Sequence, residues 1–169
     1  MTHLLLSALI AGLVAGAPAA VPPLTPDGWG ELRIGMAEAE AVRKFRLIVP
    51  GDDDGVSSEA CRELAFPEGG PRLVAMAENG RITRISTFED GPLRTDRGFG
   101  VGSREGDIRK AYGRTLRVET HKYDEEPAHY LTAWTVAGRR GVRFETDRKG
   151  VVHTVHVGGP SIEYVEGCL

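Results

Sequence analysis

Two stretches of the chain carry apolar residues at helical spacing within charged surroundings, a pattern that predicts short amphipathic helices. The apolar positions of the first stretch are Met36, Ala39, Val42 and Phe45. The second stretch follows Ser103, a residue typical of helix N-caps, and ends at Gly113, a residue typical of helix ends. Both predicted helices have about three turns, so they need to pack against another element to be stable.

The apolar residues between and after these helices alternate with polar ones, which is the pattern of half-buried β-strands. Asn79-Gly80 and the stretch 147–150 have the composition of tight turns, so neighbouring strands are expected to pair antiparallel. The predicted strands cover residues 63–66, 72–77 and 81–88 in the first half and residues 116–123, 129–137, 142–146 and 151–157 in the second.

The order of these features in the first half of the chain recurs in the second half. Val42-Arg43-Lys44 precedes Ile108-Arg109-Lys110 by 66 residues, and two glycine turns recur after 70 and 68 residues. Offsets that stay near 68 indicate a duplicated unit with loop insertions. We therefore predict an α+β fold of two tandem helix-plus-antiparallel-sheet repeats, with the helices packed on one face of the sheet. The repeats would cover residues 20–92 and 93–169.

Residues 1–19 have the pattern of a secretory signal peptide. The apolar run from Leu4 to Val14 is too short to span a bilayer comfortably, and Ala17 and Ala19 form a cleavage pattern of small residues. No cysteine follows the run, which argues against a lipoprotein signal. We expect export with cleavage after Ala19, and an uncleaved anchor is the alternative.

Charge and cysteine content narrow the class of protein further. The chain has 21 Lys and Arg against 24 Asp and Glu, and this net charge of −3 argues against binding nucleic acid through phosphate contacts. Its two cysteines, Cys61 and Cys168, predict a disulfide in an oxidising compartment, and two free thiols are the alternative. The expected localisation is periplasmic or secreted, with no stable membrane insertion after signal cleavage.

The stretch Leu32-Arg33-Ile34-Gly35-Met36, which leads into an acidic helix and then strands, is similar to the SmpA/OmlA outer-membrane assembly lipoproteins. Duplication of such a unit in a secreted chain resembles the β-lactamase inhibitor protein architecture. The resemblance implies the tandem-repeat fold and a non-enzymatic envelope protein that binds another protein. It assigns no role to any individual residue of this chain.

The residues that could form a catalytic or metal-binding motif do not have the spacing that such a motif requires. In the calcium-like stretch 51–59, the register of an EF-hand loop would place Pro50 and Cys61 at the first and last ligand positions. His153 and His156 are three residues apart, so on a strand they point to opposite faces unless a bulge intervenes. We therefore expect no enzymatic activity, no cofactor and no metal site.

The segment 121–134 holds the best candidates for binding: His121, Tyr123, Tyr130 and Trp134. Aromatic side chains with polar tips are typical of protein-binding hot spots and of surfaces that stack on sugar rings. The structural alternative is that this face packs under a helix, with Trp134 in the core.

The sequence therefore predicts an exported, non-catalytic binding protein whose partner is another envelope or extracellular protein. A carbohydrate-binding, lectin-like module with a glycan ligand is the alternative. The acidic loops Asp52–Asp54 and Asp124–Glu126 are expected to select a partner with basic patches.

Overall fold

The computed structural model describes residues 20–49, 58 and 60–168. The predicted signal peptide, the acidic loop Asp52–Asp54 and most of the calcium-like stretch 51–59 lie outside the described residues. Among the residues that are described, no helix is long and apolar enough to cross a membrane.

The described chain is dominated by β-strands. Three two-residue strands form a small antiparallel sheet: β1 (Leu24–Thr25), β2 (Gly28–Trp29) and β3 (Leu32–Arg33). The other strands are β4 (Cys61–Ala65), β5 (Val74–Glu78), β6 (Arg81–Thr87), β7 (Leu116–Thr120), β8 (His129–Val136), β9 (Arg140–Thr146) and β10 (Val152–Gly158). The helices are α1 (Glu38–Phe45) and α2 (Glu105–Tyr112), and the 3-10 turns are Gly113–Thr115 and Pro160–Glu163.

The seven longer strands form one antiparallel sheet in the order β4-β5-β6-β10-β9-β8-β7. At its centre, β6 pairs with β10 from Arg84 opposite Gly158 to Thr87 opposite Val155. The prediction of an α+β fold with two tandem helix-plus-sheet repeats is therefore wrong. The fold is mainly β, because hydrogen bonding continues through β6 and β10 and each α-helix has only eight residues.

One face of the large sheet carries the hydrophobic core. Phe144 of β9 is fully buried and makes edge-to-face contacts with Tyr112 of α2 and with Phe99, at centroid distances of 5.9 and 6.4 Å. Ala41 of α1 and Leu32 of the small sheet belong to the same buried cluster. Both helices and the small sheet therefore lie against this face, and each large apolar side chain buried there stabilises the fold by about 2 kcal/mol.

Local predictions match the structure better than the predicted architecture does. Each of the seven predicted strands overlaps one strand of the large sheet, and Gly113 ends α2 with φ at 53°. Ser103 is not the N-cap: Arg104 occupies that position without a side-chain cap, and the Ser103 hydroxyl accepts a hydrogen bond from the Gly100 N–H instead.

Candidate functional site

The second face of the large sheet is polar at its centre. Arg143 of β9 lies opposite His156 of β10 and Thr132 of β8, and His156 lies opposite Ser86 of β6. Cross-strand neighbours share a face, so these side chains form one continuous row. All four are buried, which means that other parts of the chain cover this face.

A segment after β10, residues 160–168 and hereafter the crossing segment, provides part of the cover. The buried Arg84 guanidinium of β6 donates hydrogen bonds to the carbonyl oxygens of Ser161 and Tyr164, each at 3.2 Å. It also donates to Glu63 Oε1 of β4 at 2.7 Å. Hydrogen bonds to a charged group are stronger than neutral ones, so Arg84 fixes the crossing segment to the sheet.

A disulfide between Cys61 and Cys168 joins the far end of the crossing segment to β4, with 5.5 Å between the two Cα atoms. The predicted disulfide is thus confirmed. Because Cys61 lies in the edge strand β4, the crossing segment spans the sheet from β10 to that edge. The disulfide and Arg84 hold this path at two separate points.

The loop between β7 and β8, residues 121–128, covers the other end of the polar face. His121 Nδ1 accepts hydrogen bonds from the backbone N–H groups of Tyr123 and Asp124, at 3.3 and 3.0 Å. The Tyr130 hydroxyl accepts one from the Lys122 N–H at 3.2 Å. Three successive N–H groups are therefore bound by partly or fully buried side chains of this face.

Below this loop, the Glu145 carboxylate is the central acceptor. His156 Nε2 lies 3.3 Å and Arg143 Nε 3.8 Å from Oε1, and His121 Nε2 lies 3.8 Å from Oε2. Burial alone would raise the pKa of the Glu145 carboxyl, but the hydrogen bond from His156 and the charge of Arg143 outweigh it and hold the pKa below its usual range. Glu145 is therefore an ionised carboxylate at neutral pH.

His121, Glu145 and His153 bring three potential metal-binding atoms within 4.8 Å of one another. His153 joins this group because β10 has an irregularity in register between Val152 and Thr154. Backbone N–H groups can only donate, so Nδ1 of neutral His121 is their acceptor. Its Nε2 lies 3.8 Å from Glu145 Oε2, and the Nε2 atoms of His121 and His153 are both buried without a hydrogen-bond partner among the described residues.

The four predicted binding residues occupy very different environments. His121 and Tyr130 stack at a centroid distance of 4.3 Å, and Tyr130 is only 4% exposed. Trp134 is half-buried against Gly141 of the next strand, and Tyr123 is 60% exposed. His121 and Tyr130 therefore hold the loop, and no flat aromatic platform for a sugar ring forms among these residues.

A second group of exposed residues, which no motif of the sequence indicates, lies beside Tyr123. Tyr164 and Val165 of the crossing segment are exposed, and they line a shallow cavity of about 470 Å³ with Lys122 and Glu166. The Lys122 ammonium bridges the two parts, at 5.1 Å from the Tyr123 ring and 3.5 Å from Glu166 Oε1. We call residues 122–126 and 164–166 together the aromatic–acidic surface.

Carboxylates outnumber cations at this surface. Within residues 122–126 and 164–166, four carboxylates and one ammonium, that of Lys122, leave a net charge of −3, which favours a positively charged ligand. Lys122 is paired with Glu166, and Arg148, which lies beside this surface, is paired with Glu125 at 3.3 Å. The carboxylates are Asp124, Glu125, Glu126 and Glu166.

The free energy of unfolding is expected to fall less between about pH 7 and pH 5 when His156 is replaced with glutamine. Burial lowers the pKa of His156, although the bond to Glu145 acts in the opposite direction. A histidine whose pKa is lowered by folding contributes stability above its unfolded pKa, and that contribution is lost as the pH falls towards the folded value.

Urea unfolding across this pH range measures the effect on the free energy of unfolding. Ser86→Ala is the matched control, because it removes the 2.6 Å contact to His156 Nδ1 and keeps the histidine. Equal pH slopes for His156→Gln and the unmodified protein would contradict the prediction.

Comparison with known proteins finds a weak likeness among solved structures. No protein-family model and no curated protein matches the sequence. Among solved structures, the chain is similar to a cysteine-rich secretory protein from Staphylococcus aureus subsp. aureus Mu50, at 11% sequence identity and a TM-score of 0.44. The match covers 83% of this chain and 49% of that one, so this chain spans about half the length of that protein.

Proposed function

We propose that this chain is an exported, non-catalytic module of the cell envelope or extracellular space that binds a basic segment of another protein through the aromatic–acidic surface. The observation that carries the proposal is the exposure of Tyr123 and Tyr164, at 60% and 44%, within a surface of excess negative charge. Exposed aromatic side chains provide affinity at protein interfaces, and the carboxylates attract and select a basic partner.

Two features support export. Residues 1–19 have the signal-peptide pattern described above. The disulfide between Cys61 and Cys168 is of a kind that persists in oxidising compartments such as the periplasm and the extracellular space.

The way the surface is held supports a binding role. His121 and Tyr130 bind the loop backbone from below, and Arg84 and the disulfide hold the crossing segment. A surface fixed before the partner arrives loses little conformational entropy on binding. Tyr123 and Tyr164 would therefore act as preorganised anchors.

The glycan alternative needs an aromatic platform, and the burial of Tyr130 removes its central residue. We therefore develop only the protein-binding proposal. A glycan that the immobilised protein captures from the envelope fraction, with no protein captured beside it, would restore the alternative.

Replacing Tyr123 and Tyr164 together with alanine is expected to weaken partner binding by at least about 30-fold, the effect of losing about 2 kcal/mol at a hot spot. The immobilised, oxidised protein is used to capture proteins from the envelope fraction of the source cell. The captured partner is then purified, and its affinity for each variant is measured.

The matched control is Phe88→Ala with Val136→Ala. Phe88 and Val136 are similarly exposed and lie outside the aromatic–acidic surface. A partner that is lost by the tyrosine variant and kept by the control, with affinity that falls as salt is added, supports the proposal. Equal binding by the tyrosine variant and the unmodified protein overturns it.

A further inference from the structure

We infer that His121, His153 and Glu145 form a zinc site that ties the end of β7 to β9 and β10. The potential ligand atoms of these three side chains lie within 4.8 Å of one another. The Nε2 atoms of both histidines are buried and have no hydrogen-bond partner among the described residues. Buried polar atoms without a partner destabilise a fold, and an ion bound between the two rings satisfies both nitrogens.

A bulge in β10 brings His153 to the polar face of the sheet. Glu145 of β9 pairs with Thr154, and the next pair along the strands is Thr146 with Val152, so His153 is an extra residue in its strand. Regular alternation would direct its side chain towards the core face. Bulges that re-aim a side chain in this way are common beside functional sites.

Two of the three ligands are oriented by other side chains. His153 Nδ1 lies 2.8 Å from Thr154 Oγ1, and a hydroxyl that accepts the Nδ1 proton leaves the lone pair of Nε2 free for a metal. Glu145 Oε1 lies 3.3 Å from His156 Nε2, whereas Oε2 lies 3.8 Å from His121 Nε2. Second contacts of this kind fix the orientation of ligands at metal sites.

His121 needs a change of tautomer to bind the ion. Its Nδ1 accepts the N–H bonds of Tyr123 and Asp124 in the metal-free ring, whereas zinc on Nε2 puts the ring proton on Nδ1. Asp124 Oδ2, 3.9 Å from Nδ1, is then the acceptor for that proton, and a carboxylate in this position is common behind zinc-bound histidines. Because the ion competes with the two N–H bonds, we expect micromolar rather than nanomolar affinity.

The donor set and its burial indicate a structural zinc ion. Two imidazole nitrogens and one carboxylate are typical zinc ligands, whereas Ca²⁺ and Mg²⁺ prefer oxygen. Tetrahedral zinc holds its ligand atoms about 3.4 Å apart, so movements of about 1 Å close this site around the ion. The side chains of His121 and Glu145 are only 8% and 14% exposed, which favours an ion that joins strands over one that meets a substrate.

Zinc bound here is expected to stabilise one edge of the large sheet. Among the described strands, β7 pairs only with β8, and His121 directly follows its last residue, Thr120. Coordination joins that end of β7 to β9 and β10. Saturating zinc should therefore raise the melting temperature by about 5 °C or more.

The test titrates the oxidised protein, freed of metal with a chelator, with Zn²⁺ in a calorimeter and with Co²⁺ in a spectrophotometer. Both cysteines are in the disulfide, so no thiolate competes for the ion. The inference predicts one Zn²⁺ per chain with a Kd of about 10 µM or lower, strong visible absorption from tetrahedral Co²⁺, and no binding of Mg²⁺. No binding of Zn²⁺ at about 100 µM would overturn the inference.

Single variants locate the ion. His153→Gln and Glu145→Gln each remove one of the three ligands and should weaken zinc binding by at least about 100-fold. His129→Gln is the matched control, because it removes another partly buried histidine, paired with Glu105 at 3.1 Å, and should bind zinc as the unmodified protein does. Equal affinity of His153→Gln and the unmodified protein would overturn the inference, since the ion would then bind elsewhere.

NMR of the unmodified protein keeps the test decisive if a ligand variant does not fold. Saturation with zinc should shift the Nε2 resonances of His121 and His153, place the ring proton of His121 on Nδ1, and leave the ring of His129 unchanged. Zinc that shifts the ring of His129 and leaves those of His121 and His153 unchanged would overturn the inference. The proposed function is untouched by either result, because this test involves no partner protein.

Discussion

Replacing Cys61 and Cys168 together with serine is expected to lower the free energy of unfolding by about 4–5 kcal/mol. The disulfide closes a sequence separation of 107 residues, and a loop of that length restricts the unfolded chain strongly. It also fixes the end of the crossing segment, so its loss frees the backbone around Tyr164. The variant should lose both stability and the order of the aromatic–acidic surface.

Urea unfolding of the oxidised protein, the reduced protein and the double-serine variant measures this effect. The reduced protein and the variant should unfold at the same, lower midpoint, and reductant should not change the variant. Equal stability of the oxidised and reduced proteins would show that the disulfide does not constrain the chain.

Replacing Arg84 with methionine is expected to lower the free energy of unfolding by about 2–3 kcal/mol, because the guanidinium is buried and hydrogen-bonded while its partner Glu63 is about one-third exposed. The guanidinium donates to Glu63 and to the carbonyl oxygens of Ser161 and Tyr164. Methionine fills a similar volume and leaves these three acceptors without their donor. The crossing segment should then detach between Gly159 and the disulfide.

Thermal unfolding and limited proteolysis report the two parts of this prediction. The Arg84→Met variant should melt at a lower temperature and be cut within residues 160–167, where the unmodified protein is protected. Arg72→Met is the matched control, because Arg72 forms an exposed pair with Glu89 and exposed pairs contribute little. Unchanged protection in Arg84→Met would mean that Arg84 does not hold the segment.

The sequence identifies the strands well because alternation is a local property. Leu131 and Ala133 point to the core and Tyr130 and Thr132 to the polar face, as the pattern of β8 predicts. The pairing of β6 with β10 is a contact between distant parts of the chain, and no local pattern specifies it. The strands can therefore be predicted from the sequence, but their arrangement cannot. Similar features in the two halves predicted two separate helix-plus-sheet repeats, and the single seven-stranded sheet contradicts this architecture.

In the candidate site, too, the sequence predicts local features but not those that depend on contacts between distant parts of the chain. The sequence points to His121, Tyr123 and Tyr130 because they are aromatic and flank an acidic turn. It cannot show that Tyr130 is buried, because its cover comes from loop backbone and neighbouring strands. Tyr164 lies in a segment without periodicity, and its place at the surface is fixed by long-range contacts: the hydrogen bond from Arg84 to its carbonyl oxygen and the disulfide between Cys61 and Cys168.

Photocrosslinking in the source cell tests the aromatic–acidic surface most directly. A benzophenone amino acid replaces Tyr123 in one variant and Val136, exposed to a similar degree and outside this surface, in the other. If a basic protein binds at this surface, position 123 gives one dominant protein adduct that added salt reduces, and position 136 gives no adduct of that mass. The same adduct from both positions, or adducts from position 136 alone, would contradict it.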